Sequence, residues 1–255
     1  MKPKVEYKNG HFQTNVRIDR LPLENAFKEF LSKSTRYKKS FIQSKYDYGF
    51  DGYSYLGMKN STNQYAYDLL HSFVISDQQP TRAFPKEFRH FIRKYWNDLI
   101  NKIATIEKEI ILKLPNEFQS QIQGFHNKNT GYCASLNYYP EINNQQHNTR
   151  LSAHYDASFI SVFPFGVEEG LQIETANKQW ISVDASDNAI AFTGYLCQLM
   201  TKNQVKATNH RVIFPNTFSQ HRYSVVFFSI PKRDTQIPII NRSGYTYFED
   251  YLKLF

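Results

Sequence analysis

Between Pro85 and Pro115 runs one uninterrupted amphipathic pattern, and any fold this chain adopts has to cover it. Phe88, Ile92, Tyr95, Leu99, Ile103, Ile106 and Ile110 step by three and four residues. That spacing places side chains on one face of an α-helix. Pro85 suits a first turn, and Pro115 disfavours helical geometry at Leu114. At 1.5 Å per residue such a helix is about 45 Å long. An apolar stripe of that length needs a broad partner surface, and a β-sheet supplies one.

The pattern after this helix changes to short strand-like runs at residues 133–139, 159–163, 171–174, 180–183, 189–193, 211–214 and 223–230. Turn-type residues separate them, among them Asn143 and Asn144, Gly166, and Asp187 with Asn188. The chain holds 21 Phe and 18 Tyr, side chains that fit a pleated, half-buried surface. Many short, evenly spaced strands point to a sandwich or a double-sheet jelly roll. Before the long helix, Leu23, Ala26, Phe27, Phe30 and Leu31 recur at helical spacing after Pro22, and residues 247–255 read as a final short helix. No linker or repeat divides the chain. The expected organisation is a single domain, 1–255, mainly β with flanking helices (α+β). Its parts are a mostly helical 1–115, a core at 130–232 and a closing segment at 233–255.

Two cysteines, Cys133 and Cys197, are too few for a disulfide framework and lack zinc-ligand spacing. The opening residues have no apolar h-region, and no run of about 18 apolar residues occurs. A cytoplasmic protein with no membrane span is the expectation. The net charge is +8, but the basic residues are scattered, and even Arg36, Lys38 and Lys39 form only a short cluster. This reads as a solvated basic surface rather than a nucleic-acid patch.

Four polar elements interrupt the apolar pattern. In a strand, His154 and Asp156 would share one face, with Tyr155 pointing away. Alone, such a pair also fits a polar strand edge. His210 precedes the strand-like Val212-Ile213-Phe214. Two His and one carboxylate with open coordination positions suit a redox-active Fe(II). Arg222 and Ser224 lie two apart in an otherwise apolar run. An Arg entering a core needs an anion, which can be a ligand carboxylate or an ordinary Asp or Glu. Asn137 and Tyr139, also two apart, can donate to a carboxylate or ketone oxygen, or simply mark a strand end before Pro140.

The order and spacing of these elements resemble the 2-oxoglutarate/Fe(II)-dependent dioxygenases, in particular the isopenicillin N synthase-like branch. LNYYPE, the run GLQIETANKQWISVDASDNAIAFTG, the segments GYSYLG, STNQ and HSF, and the closing YTYFEDYLKLF are similar to that branch, so the resemblance covers roughly residue 52 to the end. It departs at the N-terminus, where the branch's opening strand signature is missing. It departs also at Tyr195 after Gly194, and at Thr201-Lys202-Asn203.

The resemblance implies a double-stranded β-helix, a distorted jelly roll braced by the long helix. It implies His154, Asp156 and His210 as iron ligands, and Arg222 and Ser224 on the distal carboxylate of 2-oxoglutarate. Asn137 and Tyr139 would orient that co-substrate, and Leu171 and Phe228 would line the substrate side. The implied activity uses 2-oxoglutarate and O2 to hydroxylate, desaturate or cyclise a small organic molecule, with release of succinate and CO2. A carboxylate at 156 argues against halogenation, and Phe228 stands where nucleic-acid demethylases carry a second Arg. Two other readings stay open: an Fe(II) oxidase of the isopenicillin N synthase type that does not use 2-oxoglutarate, and a non-catalytic binding module on an oxygenase fold.

Overall fold

A computed structural model describes residues 2–46, 50–56, 58, 69–141, 149–214, 221–238 and 245–252. The Asn143 and Asn144 turn, the STNQ segment at 61–64, Gly57 and residues 253–255 lie outside these. The chain opens with strands β1 (Val5–Lys8) and β2 (His11–Arg17), which pair as an antiparallel hairpin. Asn9 and Gly10 at its tip both have positive φ, 50° and 88°. That is the turn whose twist matches two flanking strands, and Asn-Gly is the dipeptide that adopts it most readily.

Helices α1 (Leu21–Leu31) and α2 (Thr35–Lys39) follow, then β3 (Gly52–Ser54) and β4 (His71–Ser76). Residues 1–115 therefore carry four short strands besides their helices, elements that the expectation of a mostly helical part did not include. Short strands without a long periodic run leave little trace in apolar spacing. The long helix α3 spans Lys86–Ile111 with Pro85 as its cap. It buries Phe88, Leu99, Ile103, Ile106 and Ile110 as the stripe requires. Phe91 and Trp96 are buried as well, while Ile92 and Tyr95 are only half-buried. The covered face is thus wider than one row.

Helix α4 (Asn116–Asn129) leads into β5 (Thr130–Tyr139), β6 (Thr149–His154), β7 (Ile160–Phe163), β8 (Leu171–Glu174), β9 (Trp180–Ser182) and β10 (Asn188–Thr193). A short helix α5 (Tyr195–Met200) precedes β11 (His210–Ile213) and β12 (Arg222–Pro231). Strands β13 (Gln236–Pro238) and β14 (Tyr245–Tyr247) and helix α6 (Phe248–Leu252) close the chain. Among the described residues no helix is long and apolar enough to cross a membrane.

Eight strands form the large sheet, in the order β1-β2-β10-β7-β12-β5-β4-β3. Four form the small one, β6-β11-β8-β9. The pairings are antiparallel, and the two sheets make the expected jelly roll. Two apolar layers hold it together. On the outer face, α1 and α3 cover the large sheet through Phe30, Phe73 and Phe88, whose ring centroids lie 4.8–5.6 Å apart. Trp96 lies 5.5 Å from Phe227. Between the sheets, Phe163, Leu171, Ile173, Phe192 and Val212 form a second cluster. β5 alternates between these layers, Ala134 and Leu136 outward, Asn137 and Tyr139 inward. The inner face is thereby left free to carry polar groups.

Candidate metal centre

β6 and β11 pair so that His154 stands directly opposite His210. Their ring centroids are 4.2 Å apart. Asp156 arrives differently from the expectation. β6 stops at His154, so the two-apart rule for strands does not extend to Asp156, and Tyr155 lines the cavity instead of pointing away. The chain turns there, and the loop after β6 carries the carboxylate inward. Asp156 Oδ1 lies 3.7 Å from both His154 Nε2 and His210 Nε2. One ligand atom from each residue falls within 4.8 Å of the others, a cluster of the size that holds one metal ion.

Neighbouring groups fix which atoms face the centre. Each ring donates from Nδ1 to a backbone carbonyl two residues earlier, His154 to Ser152 at 2.8 Å and His210 to Thr208 at 3.2 Å. That assigns the tautomer and leaves both Nε2 lone pairs inward. Ser161 Oγ donates to Asp156 Oδ2 at 2.5 Å and pairs with Ser158 Oγ at 2.8 Å. The carboxylate is held by one oxygen and offers the other. Burial, with His210 beside it, pushes the His154 pKa down to about 4 against the opposing pull of Asp156. The imidazole is therefore neutral at ordinary pH, the form a metal binds.

Gly194 locks this loop, a role that sequence spacing could not reveal. Its amide donates to Phe159 O at 3.0 Å, and the next amide, Tyr195 N, donates to Asp156 O at 2.8 Å. A Cβ at 194 would collide with the Ser158 carbonyl oxygen. Gly194→Ala is expected to displace the Asp156 loop and weaken metal binding by about 10–100-fold, as loss of supporting contacts does elsewhere. Anaerobic Fe(II) titration of a folded variant checks this.

The two other polar pairs oppose one another across β5 and β12: Tyr139 stands against Arg222, and Asn137 against Ser224. All four line one cavity with the metal cluster, and so do Leu171 and Phe228. The space amounts to about 1120 Å³ including its open mouth. Arg222 is 4% exposed. Its Nε donates to Glu169 O at 3.1 Å, and its guanidinium lies 4.9 Å from the Tyr139 ring centre. Among the described residues Nη1 has no hydrogen-bond partner, and no carboxylate pairs with Arg222. The ordinary Arg–Asp/Glu reading therefore finds no support there.

The polar row continues past Asn137. Ser72 on β4 stands opposite Asn137, and Ser54 on β3 opposite Ser72, both lining the cavity. Sequence reasoning missed these two serines, because β3 and β4 are not legible as strands and only their register joins the row. Leu70 and Leu151 add apolar wall beside them.

Comparison with known proteins agrees with this geometry. Residues 130–231 match the family model of the 2OG-Fe(II) oxygenase superfamily. Gibberellin 2-beta-dioxygenase 3 of Arabidopsis thaliana is 25% identical over 182 residues, 67% of this chain and 53% of that protein. The chain thus spans about half the length of that relative. Among solved structures, JOX2 in complex with 2OG, Fe and JA superposes with a TM-score of 0.73 at 22% identity, covering 95% of this chain and 76% of that one. A full-length Neurospora crassa protein in complex with alpha-KG and thymine gives a TM-score of 0.71 at 18% identity, covering 93% of this chain and 83% of that one. At these identities the two structures show a shared fold.

Proposed function

We propose that the chain is a single-domain, mononuclear Fe(II) oxygenase. It couples oxidation of a small organic substrate by O2 to the conversion of 2-oxoglutarate into succinate and CO2. The observation that carries this reading is the meeting, in one cavity, of a three-donor cluster and a buried arginine with an unused donor. The first suits a metal with open positions and the second a ligand carboxylate. The jelly-roll core supports it, as do relatives and neighbours whose names and complexes speak of gibberellin, JA and thymine.

When bound, the iron supplies O2 activation, and the keto acid supplies the two electrons that hydroxylation of a C–H bond does not itself provide. The rest is positioning by this chain. His154, His210 and Asp156 hold the ion on one side, leaving positions free. Arg222 and Ser224 take the distal carboxylate of the keto acid, and Asn137 and Tyr139 orient it. Leu171 and Phe228 wall off the reacting side and exclude water. The Ser72 and Ser54 row, with apolar Leu70 and Leu151 lining the same cavity, favours a substrate with both apolar surface and hydrogen-bonding groups.

The test is anaerobic loading with Fe(II), then O2 and carboxyl-labelled 2-oxoglutarate, with release of labelled CO2 and succinate as the readout. Slow release without substrate, rising with an accepted one, is the expected result. Iron binding and O2 consumption with neither 2-oxoglutarate binding nor turnover would assign the chain to the oxidases that do without it. Failure to bind iron would refute both.

A further inference from the structure

Arg150, on β6 of the small sheet, has no part in the reading above. It is 3% exposed, as buried as Arg222. Among the described residues its Nε has no hydrogen-bond partner and no carboxylate pairs with it. Nη1 reaches only the Tyr139 carbonyl oxygen, at 3.5 Å, and the guanidinium rests 5.0 Å from the Phe214 ring centre. Tyr139 stands between two arginines: Arg222 covers its ring and Arg150 approaches its carbonyl. Burial and the like charge of Arg222 both push the Arg150 pKa down. The two guanidinium groups, one from each sheet, thus flank Tyr139: Arg222 lines the cavity and Arg150 lies outside its lining, each with a buried nitrogen that has no partner among the described residues. A like-charged buried pair is a poor arrangement by itself and a good one around an anion.

We propose that Arg150 is a second positioning residue for the keto acid. With Arg222 it makes this end of the cavity selective for a distal carboxylate, through its charge and its hold on Tyr139. This inference rests on the reading of the chain as a 2-oxoglutarate oxygenase. The anion is assigned to the co-substrate because Arg150 meets Tyr139, which pairs with Arg222, and not the Ser72 and Ser54 wall.

The experiment compares two keto acids that share a chelating head: 2-oxoglutarate, and 2-oxobutyrate, which lacks the distal carboxylate. Affinities are measured anaerobically by calorimetry on the Fe(II)-loaded wild type, Arg150→Met and Arg150→Lys. Wild type should prefer 2-oxoglutarate strongly. Arg150→Met should lose about tenfold in affinity for 2-oxoglutarate while binding 2-oxobutyrate as before, and Arg150→Lys should recover part of the loss. Parallel weakening for both keto acids would mark Arg150 as a structural clamp and overturn the proposal, as would unchanged 2-oxoglutarate affinity in Arg150→Met. If Arg150→Met does not fold, the Arg150→Lys ratio decides: a ratio equal to wild type overturns the selective role in geometry. A wild type that binds iron but neither keto acid overturns the oxygenase reading, and this inference with it.

Discussion

His154→Ala and Asp156→Ala should each abolish Fe(II) binding and leave the protein folded. The expectation of a retained fold comes from where these side chains sit. Neither belongs to the apolar layers: His154 ends β6 at the cavity, and Asp156 projects from a loop. Removing the Asp156 carboxylate leaves Ser161 Oγ without that acceptor, but Ser158 Oγ at 2.8 Å still pairs with it. No buried charge is stranded, so unfolding should be little affected. The metal, by contrast, loses one of the three donors found among the described residues, and with Asp156 the negative one of the three. Anaerobic titration followed by metal analysis should give close to one Fe(II) per wild-type chain and none retained after desalting in either variant. Thermal melts should differ by several degrees at most, since each variant loses about one hydrogen bond, worth about 0.5–1.5 kcal/mol, and no apolar packing. Unchanged iron affinity in both variants would remove the metal assignment altogether.

Much of this arrangement is legible in the sequence, for reasons that differ residue by residue. The α3 stripe can be read because a helix of seven turns repeats its signal. Asn137 with Tyr139, and Arg222 with Ser224, can be read because each pair lies within one strand, where a period of two fixes the face. That the two pairs stand opposite each other is a matter of register between β5 and β12, which spacing along the chain does not encode. His154 and Asp156 point to the same place for a reason the strand rule does not contain. The strand ends between them, and Gly194 anchors the loop that follows. The opening β1–β2 hairpin escapes a reading by periodicity although Asn9-Gly10 is a strong local turn signal, because runs of four and seven residues are too short for alternation to stand out. Arg150 escapes for a similar reason. Residues 149–154 are too polar to read as a strand, and an arginine there looks like surface until the small sheet folds it toward Tyr139.

Arg222→Met should all but eliminate binding of 2-oxoglutarate while sparing iron. The guanidinium is buried, Nε is already committed to Glu169 O, and Nη1 has no partner among the described residues. A bidentate or single charge-assisted bond from this fork to a carboxylate is the strongest contact the cavity can offer to that end of a ligand. Truncating one partner of a buried charge pair costs about 2–5 kcal/mol, a loss of at least about thirtyfold in affinity. Arg222→Lys should not restore it. An ammonium keeps the charge, but it cannot hold Glu169 O and a carboxylate with one planar fork, nor lie flat on the Tyr139 ring. Ser224→Ala, which removes one neutral donor beside it, should cost much less, about 0.5–1.5 kcal/mol. Calorimetric titration of the three iron-loaded variants checks the order. Equal losses in Arg222→Met and Ser224→Ala would mean that the carboxylate does not sit against the arginine, and the keto acid would have to be placed elsewhere in the cavity.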